Sequence, residues 1–85
     1  MERTIRVTNA AGVHASPSAQ IVQTVMEYNA TVAFVHKNKI VDGRSILGIL
    51  SLGLTKGTQF VIRAEGADAA AVLDALEELF ASKFH

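Results

Sequence analysis

The chain of 85 residues predicts an α+β fold, an open-faced two-layer β-sandwich in which a four-stranded antiparallel sheet carries three helices on one face. Three observations lead there. The apolar residues change period along the chain, from alternation to three- and four-residue spacing and back, which gives the order β-α-β-β-α-β-α. The turn-prone stretch Lys37-Asn38-Lys39 separates two β-rich runs and so implies antiparallel pairing. A sheet of this kind must bury one face, and helices are what the chain has to cover it.

The first strand is expected over residues 3–8, where Ile5 and Val7 alternate with Arg6 and Thr8, and Asn9 to Gly12 supplies turn chemistry. From Ser16 onward Ala19, Val22, Val25 and Met26 recur at helical spacing, with Gln20, Gln23 and Glu27 toward solvent. This predicts an amphipathic helix that ends near Glu27-Tyr28-Asn29-Ala30. β-Branched and aromatic residues predict strands over Thr31–His36 and Lys39–Asp42. The apolar run from Ser45 to Leu54 is only about two turns long between Gly43 and Gly53, and Ser45 is a good N-cap, so a short helix is expected there. A strand rich in Phe60, Val61 and Ile62 follows. Asp68 can then cap a last helix over residues 69–84 that buries Val72, Leu73, Leu76, Leu79 and Phe80.

Length and a hydrophobic content of 49% suit a single domain over residues 1–85 with one core. Eight basic residues balance eight acidic ones, so no overall charge draws the molecule to nucleic acid or an anionic membrane. The absence of cysteine excludes a disulfide framework and thiolate metal sites. No apolar run approaches the ~20 residues that cross a bilayer, and no segment resembles a signal peptide. A cytoplasmic location is the expectation, with no direct nucleic-acid contact and no membrane insertion.

His14 stands where a strand and a turn give way to a helix. The orphan amides and the positive dipole end of that helix make an anion site. An imidazole there can take a phosphoryl group on nitrogen, with the added oxygens accepting bonds from the amides of Ala15, Ser16 or Ser18. Pro17 cannot donate, but at the start of a helix its missing N–H costs nothing. A capping or solvent-facing histidine with no chemistry is the competing reading of these residues.

Two stretches resemble one family. Gly12-Val13-His14-Ala15-Ser16-Pro17-Ser18 is similar to the active-site segment of the histidine-containing phosphocarrier (HPr) family of the bacterial phosphotransferase system, whose usual form is G-[LI]-H-A-R-P-A. The run from Ser45 to Leu54, SILGILSLGL, resembles that family's regulatory-serine segment. The resemblance extends over essentially the whole chain. It implies that His14 is phosphorylated by Enzyme I at the expense of phosphoenolpyruvate and passes the group to sugar-specific EIIA proteins. It also implies that Ser45 is a phosphorylation site where an HPr kinase/phosphorylase exists, and that the chain is a carrier with a phosphohistidine intermediate rather than a stand-alone enzyme. No metal or organic cofactor is implied.

Ser16 departs from the pattern, which has arginine there. A guanidinium donates two charge-assisted bonds to a phosphoryl group and a hydroxyl donates one neutral bond, a difference on the order of 1 kcal/mol or more. A slower carrier is expected, not a dead one. Arg44 reads as an ordinary flanking residue, and His36 and His85 read as bland.

The short helix has more large apolar side chains than one buried face can take. Ile49 and Leu52 are expected in the core; Ile46, Leu47 and Leu50 either line its edge or form a docking patch for partners next to His14, and the family resemblance favours docking. The alternative function is an HPr-like regulatory adaptor of carbon catabolite control. There Ser45 phosphorylation would govern binding to a transcription factor and sugar transport would not be served. Retention of His14 favours the carrier.

Overall fold

The computed structural model describes residues 1–84, with the side chain of Lys83 left aside; His85 lies outside the described residues. The elements are β1 (Glu2–Arg6), α1 (Ala15–Met26), β2 (Thr31–His36), β3 (Lys39–Asp42), α2 (Ile46–Ser51), β4 (Gln59–Glu65) and α3 (Ala69–Glu78), with a widened π-helical turn at Leu79–Lys83. Together they form the expected α+β open-faced sandwich.

The sheet order is β1-β4-β2-β3 and every pairing is antiparallel. Ile5 lies opposite Phe60 and Phe34 opposite Ile62, so the alternate residues of three strands bury together on one face. Onto that face pack Ile21 and Val25 of α1, Ile49 of α2, and Val72, Leu73 and Leu76 of α3, in one core cluster. An aromatic chain runs through it. Phe34 stacks on Phe60 with ring centroids 5.6 Å apart, Phe60 meets the edge of Phe80 at 5.2 Å, and Phe80 meets Phe84 at 5.1 Å.

Several sequence expectations change in detail. β1 ends at Arg6 rather than at residue 8, although Val7 N–H still donates to Thr58 O at 2.9 Å and Val7 O accepts from Gly57 N–H at 2.7 Å. On α1, Ala19 and Met26 face solvent; Pro17, Ser18, Ile21, Val22 and Val25 are the buried residues. A serine can enter that face because its hydroxyl donates back to His14 O at 2.5 Å, leaving no unsatisfied donor in the core.

Asp68 stands at the N-cap of α3, but its side chain caps nothing. Its carboxylate instead accepts the Asn29 N–H at 2.7 Å, while Asp68 N–H donates to Asn29 O at 3.1 Å. This pair ties the start of α3 to the turn after α1. The last helix also stops being α-helical at Glu78, where the widened turn seats Phe80 against Phe60 and Phe84, and Thr8 Oγ1 donates to Phe80 O at 3.2 Å.

Candidate functional site: His14 and the apolar face of α2

The segment before α1 is a short loop held from inside and from outside. Within it, Asn9 Nδ2 donates to Gly12 O at 2.7 Å and Gly12 N–H to Asn9 O at 3.1 Å. From outside, Val13 N–H donates to Leu54 O at 2.8 Å, which joins the loop to the chain just beyond α2. Gly12 makes this approach feasible. It has a left-handed φ of +70°, and a Cβ built there would stand 2.7 Å from Leu54 O. The Val13 side chain goes into the core on one side of His14, and Pro17 and Ser18 do so on the other.

His14 is thereby fixed through its backbone. It is the N-cap of α1, with extended φ and ψ of −104° and −162°, and its carbonyl accepts Ser18 N–H at 3.0 Å. Its imidazole is exposed and makes no capping bond. Among the described residues, the amides of Ala15 and Ser16 have no hydrogen-bond partner, as the first turn of a helix requires. Two N–H donors and an exposed imidazole therefore share one helix start.

Ser18, expected among the donors, is not available. Its amide and its hydroxyl are both engaged by His14 O, and its side chain is fully buried. Pro17 is buried and has no N–H to give. Ser16 is exposed. The structure so narrows the possible anion donors to the Ala15 and Ser16 amides and the Ser16 hydroxyl.

Ser45 caps α2, its Oγ accepting Gly48 N–H at 2.9 Å. A Cβ on Gly48 would come within 3.0 Å of that oxygen, so the glycine allows the cap to close. Arg44 is exposed, and its backbone N–H bonds Asp42 Oδ1 at 2.8 Å. The Leu54 carbonyl that holds the His14 loop lies past the other end of α2, and six residues of helix rise about 9 Å. Arg44 and Ser45 thus stand at the opposite end of α2 from the segment that clamps the His14 loop.

Along α2 the apolar side chains divide as their spacing predicts. Ile49 and Leu52 are buried, Leu50 is half-buried, Ile46 is 40% exposed and Leu47 is 79% exposed. Residues 46, 47 and 50 fall on one face of α2, and α2 as a whole packs against α1. Among the described residues, no group of three or more His, Asp or Glu is gathered that could hold a metal ion, and no helix is long and apolar enough to cross a membrane. Asn9 was legible only as a turn residue; its buried position and its bond to Gly12 O make it a support of the site.

The family model described as PTS HPr component phosphorylation site matches residues 1–82. The chain is 38% identical over 82 residues to the phosphocarrier protein HPr of Treponema pallidum, an alignment covering 96% of this chain and 93% of the relative. Among solved structures it superimposes on HPr-C-His from Thermoanaerobacter tengcongensis with a TM-score of 0.93 at 39% identity, covering 99% of this chain and 94% of that one. Phosphocarrier protein HPr from Bacillus anthracis gives 0.89 at 31% identity, with 94% and 95% covered. An exposed histidine at a helix start, an apolar short helix beside it and these likenesses over the whole fold converge: the chain belongs to the HPr family of phosphocarrier proteins of the phosphotransferase system.

Proposed function

We propose that this chain, acting as one HPr-like domain over residues 1–85, accepts a phosphoryl group on His14 from Enzyme I and delivers it to EIIA proteins of sugar uptake in the cytoplasm. The observation that carries the reading is the helix start itself, where an exposed, unbonded imidazole adjoins the unpartnered amides of Ala15 and Ser16. An unprotonated ring nitrogen attacks phosphorus. The new N–P bond forms as the donor's bond to phosphorus breaks, and the phosphoryl oxygens gain the two amides and the Ser16 hydroxyl as hydrogen-bond donors. Delivery runs the same exchange toward the acceptor. The fixed backbone of His14 supports it, because the imidazole is presented without any loop rearrangement.

Ile46, Leu47 and Leu50 form the apolar surface on which both partners dock in this reading, since α2 packs against the helix that His14 caps and two of the three side chains are exposed to solvent. Phosphorylation of Ser45 by an HPr kinase/phosphorylase would add negative charge at the start of α2, which suits the helix dipole and changes docking electrostatically without refolding. A catabolite-control transcription factor would read that form.

The test is incubation with Enzyme I and phosphoenolpyruvate, followed by intact-mass measurement and acid treatment. One acid-labile phosphoryl adduct is expected, lost in His14→Ala, a substitution that removes no capping bond. No adduct with the cognate Enzyme I would favour the regulatory adaptor instead.

A further inference from the structure

A cleft of about 460 Å3 opens between the β2–β3 hairpin and the loop that follows α2. His36, Lys37, Asn38 and Lys39 form one wall; Thr55 and Thr58 stand on the other, with Leu52 and Gly53 between. No carboxylate lines it. Two lysine ammoniums have no lining carboxylate to neutralise them, while the histidine, the amide and the two hydroxyls can donate as well as accept, and the chemistry this set matches is a compact dianion carrying hydroxyls. We infer that this cleft is a binding site for a small phosphorylated metabolite, separate from the His14 site.

Several features make the lining a formed site rather than a stretch of mobile surface lysines. Lys39 Nζ donates to Ser51 O at 3.0 Å, which ties the ammonium to the last residue of α2 and leaves its remaining protons to donate elsewhere. Lys37 sits at the tip of a tight turn with φ of +54°, its backbone held by the pairing of His36 with Lys39. Thr55 Oγ1 and Thr58 Oγ1 are hydrogen-bonded to each other at 3.2 Å, which orients the pair and leaves one hydroxyl proton to donate to a ligand.

Size sets the class of ligand. Small-molecule sites run from about 300 to 1,000 Å3. A bare phosphate would leave most of this cleft to water, whereas a phosphate ester on a sugar-sized body fills it, its phosphate between the lysines and its hydroxyls against the threonines and Asn38. A phosphomonoester carries a charge of about −1.5 to −2 near neutrality, the complement of Lys37 and Lys39. The Leu54 carbonyl, one residue from Gly53 and Thr55, holds the His14 loop, so the two sites share a wall but no lining side chain.

The unphosphorylated protein, without Enzyme I, is titrated with ribose-5-phosphate while backbone amide NMR shifts are followed, in parallel with ribose and with inorganic phosphate. Saturable shifts are expected for Lys37, Asn38, Lys39, Thr55 and Thr58 with ribose-5-phosphate, none with ribose, and severalfold weaker binding with inorganic phosphate. Lys37→Gln touches no packed residue and should weaken binding roughly tenfold or more, the loss of one charge-assisted contact. Lys39→Gln should do the same, and Lys37→Gln keeps the test open if loss of the Ser51 contact disturbs α2. Shifts centred on His14, Ala15 and Ser16, inorganic phosphate binding as tightly as the ester, unchanged affinity in Lys37→Gln, or no saturable shift would each overturn the assignment. None of these results bears on phosphorylation of His14, which is read separately by mass.

Discussion

Replacing Gly12 by alanine tests whether the His14 loop is held by its close approach to the chain beyond α2. Two costs follow from the structure. A left-handed φ of +70° disfavours any Cβ by about 1–2 kcal/mol. The added carbon would also stand 2.7 Å from Leu54 O and 3.1 Å from Thr55 Cα, both backbone atoms, so the loop must move away. Leu54 O is the acceptor of Val13 N–H at 2.8 Å, and losing that bond removes a further 0.5–1.5 kcal/mol, roughly. The sum is about 1.5–3.5 kcal/mol. In a domain of this size each 1 kcal/mol moves the melting temperature by about 4–8 °C, so a fall of roughly 6–28 °C is expected. Gly53→Ala is the matched control. It has a similar φ of +63° but meets no atom within 4 Å, so only the conformational cost applies. Urea denaturation followed by circular dichroism measures both variants. Equal losses in the two would refute the contact argument, because the steric part would then be absent. Where Gly12→Ala is still folded, transfer to His14 should be slower than in Gly53→Ala, since the loop that positions the imidazole has shifted.

Other substitutions separate structural from functional roles. Ser45→Ala removes the cap to Gly48 N–H and should cost about 1 kcal/mol in denaturant, whereas Ser45→Asp should keep the stability and, on the proposed regulation, weaken Enzyme I binding in a salt-dependent way; equal affinities at every salt concentration would remove Ser45 as a charge switch. Leu47→Ala should change stability by less than about 0.5 kcal/mol and weaken partner binding, while Ile49→Ala, two residues on and fully buried, should cost about 2–5 kcal/mol. Ser16→Arg should speed phosphoryl transfer by roughly five- to thirtyfold in rapid-quench kinetics with little effect on stability, because the position is exposed and the guanidinium offers two charge-assisted bonds. A variant no faster than the native chain would show that transfer is limited elsewhere, for example by docking.

The strands Thr31–His36 and Lys39–Asp42 were legible to the residue, and so was the Ser45 cap. Their causes are local: β-branched alternation, a two-residue turn, and an oxygen three residues before an orphan amide. The division of α2 into buried Ile49 and Leu52 and exposed Ile46 and Leu47 was legible too, since helical spacing alone cannot bury them all. Faces and partners across the fold were not. Periodicity predicted Met26 and Ala19 in the core, but Ser18 went there instead, because bonds to its own helix satisfied its hydroxyl and allowed α1 to turn Pro17, Ser18 and Ile21 inward. Asp68 sat at its predicted cap position, yet a backbone amide brought in from Asn29 claimed the carboxylate. Of the donors expected around His14, Ser18 was lost for the same reason that it was buried, and the clamp on the loop came from the carbonyl of Leu54. A main-chain carbonyl carries no signature in a sequence. Local propensity depends on neighbours along the chain, whereas the His14 loop and the basic cleft depend on segments that only sheet pairing and helix packing bring within hydrogen-bond distance.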